Sequence, residues 1–303
     1  MSEPRVVGVI PAFPPPFKEW KWLTEPVRAE RLAALRIGVG AVLLWDVLFT
    51  YLPQAENFFG RGSLGSPEVF TSQHIWWRWS FLRGVADPVF LKIALLLWAV
   101  AALFLLVGWL PKVSAAFAWG MSLSFIGINY YLHNSGDNIR SIALFYLMLT
   151  PCGVAWSMRR QRRDAGRPVF VSPWALRLLA AQLAIMYLFN GIYKLAGPDW
   201  RAGNVMQSVL GNLAWTRLSY EQLALPYWMT VAMTWTVLAW ELTFPLFVMI
   251  PWIRAPVLWL GVAFHLSTAV LLQLGPFPFY AMCLYLPFVP WEKYVDRVVS
   301  SEW

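Results

Sequence analysis

Apolar runs of about 20 residues recur along most of the chain, and each is long enough for a helix to cross the ~30 Å hydrocarbon core of a bilayer. Charged residues make up 13% of the 303 residues, whereas a soluble domain carries about 25%. Inside lipid the backbone has no water to bond with, so an apolar run satisfies its N–H and C=O groups by forming a helix. We therefore predict an all-α fold, a polytopic bundle of membrane-spanning helices.

Eight runs qualify as membrane spans. Their approximate bounds are 32–52, 89–110, 113–132, 138–156, 173–195, 228–250, 255–274 and 277–289. The last run is short and interrupted by proline, which predicts a helix that is tilted, partly re-entrant or packed inside the bundle.

Two longer connections separate these spans, and both mix polar with apolar residues. We expect residues 54–88 and 196–226 to lie along the membrane surface, the second as short helices. The first connection carries an aromatic cluster that is typical of a membrane–water interface, formed by Trp76, Trp77, Trp79 and Phe81.

The distribution of basic residues indicates the orientation of the chain, because short cytoplasmic loops carry an excess of Lys and Arg. The most basic loop, between spans four and five, holds Arg159, Arg160, Arg162, Arg163 and Arg167. Placing it in the cytoplasm puts the Pro-rich N-terminal segment (1–31) and the tail (292–303) inside as well. The transmembrane domain then covers 32–291, with the first run as an uncleaved anchor. The loops that face the periplasm, exterior or lumen are 133–137, 196–226 and 275–276.

This topology accounts for the net charge of +8, so we expect membrane lipid as a partner and no nucleic acid. Cys152 and Cys283 lie in or beside apolar runs, and neither belongs to a metal-binding spacing. We interpret both as buried small hydrophobes and expect no metal.

Five ionisable residues fall within the spans, where lipid tolerates charge poorly: Asp46, Arg140, Lys194, Glu241 and His265. A charge at the bilayer centre costs roughly 2.5–3.5 kcal/mol on insertion scales, so such residues need partners or a function. Two interpretations stay open for them, namely a structural ion pair or clamp between helices and a functional site. Arg36, near the cytoplasmic end of the first span, is expected to extend to the headgroups or to pair locally.

The fifth span carries the most informative polar face. Tyr187, Gly191 and Lys194 are spaced i, i+4 and i+7 and therefore share one stripe, with Asn190 beside it and Gln182 farther along the helix. This convergence predicts a polar pocket that opens to the non-cytoplasmic side, where a desolvated lysine acts as a base in its neutral form. The alternative is a lysine that extends to the outer headgroups.

These residues resemble a known family, the vitamin K-dependent γ-carboxylase-like membrane domain, also called the HTTM domain. The resemblance covers about 32–291 and is most specific in QLAIMYLFNGIYKL (182–195) and DWRAGNVM (199–206). The family has Gln, Tyr, Gly and Lys in this register, followed by Asp-Trp-x-x-Gly-x-x-Met, and here one extra residue separates the lysine from the Asp-Trp pair. Weaker matches are Arg36 with Asp46, Glu241, Phe264-His265 and Asp137-Asn138.

The resemblance implies that Lys194 is the base that deprotonates a reduced, vitamin K-like quinone. In the family, the oxygenated quinone then removes a γ-proton from a substrate Glu, and carbon dioxide captures the carbanion. On this basis we assign substrate binding to Tyr187, Asn190, Asn138, Arg140, His265, Glu241, Asp199 and Trp200. We assign a structural polar role to Arg36, Asp46 and Gln182.

The chain departs from the family pattern in two respects. Ile139 stands where the family has an active-site His, and the large lumenal region that engages the protein substrate has no counterpart after the last span. We therefore weigh three functions. The first is an enzyme that binds a quinol or a similar lipid and uses Lys194 as a base. Its reaction would be carboxylase-like (a lyase), quinol-epoxidase-like or another oxidation driven by the quinol. The second is a non-catalytic maturation or immunity partner of an exported peptide or protein. The third is a lipid-handling transporter, for which no inverted repeat is visible.

Overall fold

The computed structural model describes residues 5–8, 24–63, 66, 80–158, 168–218 and 220–294, and most of these residues are helical. They fall into two compact units: unit one comes from 1–177 and 286–303, and unit two from 178–285. The basic loop 159–167 and the residues Trp76, Trp77 and Trp79 lie outside the described residues. The orientation of the chain in the membrane therefore stays a prediction.

Unit one consists mainly of helices that follow one another along the chain. They are α1 (Ala29–Asp46), which continues into a π-helical turn (Val47–Tyr51), α2 (Ala55–Phe59), α3 (Pro88–Val107), α4 (Pro111–Ile128) and α5 (Ser135–Leu149). A 3₁₀ turn (Tyr130–Leu132) precedes α5, and another (Leu286–Phe288) returns from the C-terminal part of the chain to pack against α1. Helices α1 and α3 pack together, as do α3 with α4 and α4 with α5.

Local sequence signals explain where the helices of unit one begin. Asp87 accepts a hydrogen bond from the backbone N–H of Phe90 at the start of α3, and Pro88 occupies the first helical position, where no N–H partner is needed. Asn134 and Asp137 form a capping box at the start of α5. These caps satisfy N–H groups that have no partner within the helix.

A small three-stranded sheet accompanies the helices of unit one, and the all-α prediction missed it. Strands β1 (Arg5–Val7) and β2 (Val27–Arg28) flank β3 (Val169–Val171), with β1 parallel and β2 antiparallel to β3. Each strand is only two or three residues long, too short for a recognisable alternation of polar and apolar residues. The pairing joins segments far apart in the sequence, so only the tertiary structure reveals it.

Arg36 pairs locally and does not extend to the headgroups. Its guanidinium is fully buried and donates to the carbonyl oxygens of Leu105 (2.8 Å), Leu106 (3.0 Å) and Trp156 (2.5 Å). The carbonyls of Leu105 and Leu106 lie in the last turn of α3, where helical carbonyls have no N–H donor four residues later in the helix. The carbonyl of Leu105 also accepts from the N–H of Gly108. Arg36 of α1 therefore clamps the end of α3 and the segment at 156 together.

Unit two contains the remaining helices. They are α6 (Trp174–Ala196), which belongs to this unit from Leu178 onward, α7 (Pro198–Ala202), α8 (Val205–Gly211), α9 (Tyr220–Leu223), α10 (Tyr227–Phe247), α11 (Pro251–Leu271) and α12 (Phe277–Cys283). Within the unit, α10 packs against α8 and α11, and α11 packs against α12. The connection at 196–226 forms the short helices α7, α8 and α9, as its mixed composition predicted.

Four helices within the described residues are long and apolar enough to cross a membrane: Ala29–Tyr51, Pro88–Val107, Trp174–Ala196 and Pro251–Leu271. The other predicted spans coincide with helices that are shorter or more polar than this criterion allows, so the count of eight is not confirmed. The last apolar run forms short helical segments within Phe277–Phe288. The chain is thus a mainly helical membrane protein with at least these candidate spans.

We predict that Gly108→Ala destabilises the protein strongly. Gly108 ends α3 at φ +76°, and a Cβ there overlaps the Ser157 side chain and lies 2.5 Å from Arg36 Nη1. The substitution therefore combines left-handed backbone strain with disruption of the Arg36 clamp. Gly84→Ala is the matched control, since Gly84 has φ +82° but nothing within 4 Å of a built Cβ.

In detergent, unfolding followed by tryptophan fluorescence reports both variants. Gly84→Ala is expected to lose about 1–2 kcal/mol from backbone strain alone. Gly108→Ala is expected to lose a further ~1–3 kcal/mol from overpacking. Equal losses of unfolding free energy in the two variants contradict the stabilising role of the Arg36 clamp.

The ion pair between Arg31 and Glu292 predicts a pH dependence of stability. Burial raises the pKa of Glu292, but the hydrogen bonds and charge of Arg31, 2.5 Å away, outweigh burial and hold that pKa below its usual range. A lowered folded-state pKa stabilises the protein above the ordinary pKa of glutamate, and this contribution disappears as the pH falls through the lowered value.

Glu292→Gln is therefore expected to reduce stability at pH 7 by roughly 0.5–1 kcal/mol, the range for a partly exposed pair. The difference from the wild type is expected to shrink in acid, as thermal melts between pH 3 and pH 7 can measure. A difference that persists unchanged at pH 3 contradicts the ionic origin.

Candidate functional site

An ion pair at the end of α6 forms the polar edge of unit two. Lys194 Nζ donates to Glu241 Oε1 of α10 at 2.5 Å and lies 4.8 Å from the ring centroid of Trp200. The Lys194 side chain is 24% exposed whereas that of Glu241 is 3% exposed. The lysine side chain is thus partly accessible to solvent, and its carboxylate partner is buried.

Gly191 explains how α6 comes close enough for this pair to form. A Cβ at Gly191 meets the Leu242 side chain of α10 at 2.9 Å, so only glycine allows this approach of the two helices. Gly191 and Tyr187 are buried and Lys194 is partly exposed. The stripe predicted from the spacing of these three residues therefore faces α10, with the lysine at its open end.

Below the ion pair, three buried side chains form a hydrogen-bonded chain. The Tyr187 hydroxyl lies 2.8 Å from His265 Nε2 and 2.5 Å from the Tyr285 hydroxyl. The Tyr187 ring packs against Trp240 and Phe244, with ring centroids 4.6 Å away in both cases. Tyr187 and His265 were predicted site residues. Tyr285 was missed because it stands within an apolar run, and a buried tyrosine hydroxyl that needs a partner was its only signal.

Two buried polar atoms of unit two have no hydrogen-bond partner within the described residues: Glu241 Oε2 and His265 Nδ1. The residues themselves are 2% and 1% exposed. Buried polar groups are almost always paired, so an unpaired atom in such a place calls for an explanation. One explanation is a ligand with oxygen atoms that accept from or donate to these two positions.

The other predicted residues of unit two are half-buried or exposed. Asn190 and Asp199 are exposed, whereas Gln182 and Trp200 are half-buried. Of these four, the structure brings Trp200 to Lys194.

Unit one holds a separate buried cluster around Arg140. This residue contacts Asp46 at 3.1 Å, Asp137 at 2.7 Å and the Ser122 hydroxyl at 2.9 Å, and Tyr51 donates to Asp137 at 3.2 Å. Arg140, Asp46 and Asp137 are at most 2% exposed. These contacts pair Arg140 with Asp46, as the interpretation of a structural ion pair requires, and the predicted role of Arg140 in substrate binding stays a prediction. The i, i+3 spacing of Asp137 and Arg140 was the signal that could have added Asp137.

Asn138, also in unit one, is exposed, and its Oδ1 lies 2.9 Å from His133 Nε2. The neighbouring Ile139, in the position of the family's active-site His, is buried. Cys152 and Cys283 are free and buried, as their apolar surroundings predicted. No group of three or more His, Cys, Asp or Glu within the described ranges is arranged to hold a metal ion.

Long apolar helices, together with buried polar clusters of which one holds a partly exposed lysine, are typical of a multi-helix membrane protein. A family model, the HTTM domain, matches residues 24–292. The chain therefore belongs to the HTTM-domain family, whose members are carboxylase-like membrane proteins. No curated protein and no solved structure matches the chain.

The Arg140 cluster predicts unequal effects of removing its members. Arg140→Gln leaves two buried carboxylates without a cation, so it is expected to cost about 3–5 kcal/mol or to prevent folding. Asp46→Asn leaves Arg140 paired with Asp137, so it is expected to cost clearly less. Thermal unfolding and folded yield in detergent measure both variants, and equal effects contradict the proposed charge balance.

Proposed function

We propose that this protein is a membrane enzyme that binds a quinol or a similar lipid in unit two and uses Lys194 as a base on the non-cytoplasmic side. The observation that carries the proposal is the position of Lys194, partly exposed and paired to a buried carboxylate at the edge of an aromatic, hydrogen-bonded interior. Membership of a carboxylase-like family supports the same chemistry. The proposed topology has eight spans with both termini in the cytoplasm.

The residues of unit two fit a reduced quinone. Glu241 Oε2 is an unpaired acceptor for a hydroxyl group, and His265 Nδ1 is a second unpaired position among the described atoms. The rings of Trp200, Trp240 and Phe264 provide apolar surface of the kind that a planar ring prefers. A bound quinol would supply electrons and a hydroxyl proton to carboxylase-like or epoxidase-like chemistry.

Lys194 must lose a proton before it can act as a base, and Glu241 is the acceptor next to it. Transfer of a proton from Nζ to Oε1 converts the ion pair into a neutral amine and a carboxylic acid, with no net change in charge. The neutral Nζ can then accept a proton from a hydroxyl held beside it, while Glu241 keeps the first proton.

A second candidate is a non-catalytic partner of an exported peptide or protein. The observation that favours it is Ile139, a buried apolar side chain in the position of the family's active-site His. An apolar residue cannot move a proton, so any reaction that needs the family's His at this position is lost. Co-purification of a peptide without any bound quinone or lipid in native mass spectrometry supports this candidate.

Substitution of Lys194 tests the proposed enzyme. Lys194→Arg keeps a cation for Glu241 but removes the basic amine, so we expect turnover of reduced vitamin K with oxygen and bicarbonate to fall at least ~100-fold, and Lys194→Ala to abolish it. The quinone products are measured by mass spectrometry. Lys92→Arg is the control, since Lys92 forms an exposed pair with Glu56. Wild-type turnover by a folded Lys194→Arg variant rules out Lys194 as the base.

A further inference from the structure

The hydrogen-bonded chain of Tyr285, Tyr187 and His265 contains few donor protons. Their number restricts which group donates and which accepts in each hydrogen bond. All three side chains are at most 4% exposed. A tyrosine hydroxyl has one proton to donate, and a neutral imidazole has one N–H donor and one bare nitrogen that accepts. Tyr187 lies in the middle, next to both the Tyr285 hydroxyl and His265 Nε2. It donates its proton to one of them and accepts a hydrogen bond from the other.

One arrangement leaves the fewest unpaired groups. If Tyr285 donates to Tyr187 and Tyr187 donates to Nε2 of His265, the imidazole carries its proton on Nδ1, and this N–H alone lacks a partner within the described residues. In the reverse direction, Nε2–H donates to Tyr187, and both the Tyr285 proton and the bare Nδ1 are unpaired. A doubly protonated imidazole leaves the same two positions unpaired and adds a buried charge. The first arrangement is therefore favoured.

We propose that His265 Nδ1–H is a fixed hydrogen-bond donor for a ring oxygen of the quinone-like ligand, and that Tyr187 and Tyr285 are positioning residues that hold this tautomer. The inference rests on the proposed function for the class of ligand. Phe264 and Phe277 lie edge-on to the imidazole, with ring centroids 5.0 and 5.8 Å away, and fix its plane. Glu241 Oε2, which is also unpaired within the described residues, is the acceptor that the proposed function assigns to a hydroxyl group of the ligand.

The tautomer is measured directly by ¹⁵N NMR of histidine-labelled protein in lipid nanodiscs. The chain has three histidines, so His74→Gln with His133→Gln leaves His265 as the only signal. We expect Nδ1 to be protonated and Nε2 to be bare in this background. In Tyr187→Phe, which removes the donor to Nε2, the two tautomers are expected to mix. Protonated Nε2 in the parent protein overturns the inference.

Ligand binding is measured with 2,3-dimethyl-1,4-naphthoquinone, whose blocked ring does not add to thiols, and with 2,3-dimethylnaphthalene, the same ring without oxygen. We expect the quinone to shift the Nδ1 resonance.

Tyr187→Phe is expected to weaken quinone affinity roughly three- to tenfold, the effect of about one hydrogen bond, and to leave the affinity for the hydrocarbon unchanged. Unchanged hydrocarbon binding also shows that the variant is folded. Tyr193→Phe is the control, because Tyr193 is 86% exposed.

The outcomes separate this inference from the proposed function. Quinone binding that neither shifts Nδ1 nor weakens in Tyr187→Phe overturns the role of His265 and leaves quinone binding intact. Failure of the parent protein to bind the quinone overturns the proposed ligand class. It also overturns the proposal that His265 donates to a ring oxygen of such a ligand. Binding with a shifted Nδ1 resonance in a Lys194→Ala variant supports the inference even where turnover is lost.

Discussion

A guanidinium buried in a helical bundle must find its counter-charges inside the bundle, and unit one is arranged around that requirement. Arg140 on α5 reaches Asp46 on α1 and Asp137 one turn earlier on its own helix. The rings of Tyr51 and Trp98 lie beside the same guanidinium, at 5.8 and 5.0 Å from its central carbon. Packings of α1, α3 and α5 that separate these groups leave uncompensated charge in an apolar interior, which is far more costly than a loss of apolar contact.

Unit two meets the same requirement with a different set of partners. Lys194 and Glu241 neutralise each other, and Tyr187, His265 and Tyr285 share hydrogen bonds. Glu241 Oε2 and His265 Nδ1 are nevertheless unpaired among the described atoms. An interior that is purely structural gains stability by pairing every polar group. These two atoms are the ones to which the proposed ligand would bind.

Much of the architecture could be predicted from residue patterns, because a helix in lipid is a local structure. The fifth span was predicted at 173–195, and α6 covers Trp174–Ala196. The stripe of Tyr187, Gly191 and Lys194 was predicted from spacing alone. The sheet could not be predicted in this way, because its two- and three-residue strands are defined only by their pairing partners. The count of eight spans exceeds the four helices that satisfy length and apolarity together.

The sequence by itself determined a helical membrane chain of the HTTM family and the residues that needed partners within it. It could do so because apolar run length and helical periodicity are properties of neighbouring residues. Only the tertiary structure decided which partners they took. It paired Asp46 with Arg140, Glu241 with Lys194, and Tyr187 with both His265 and Tyr285. Charge and hydrogen-bond partners are chosen by distance across helices, and no spacing within one helix encodes that distance.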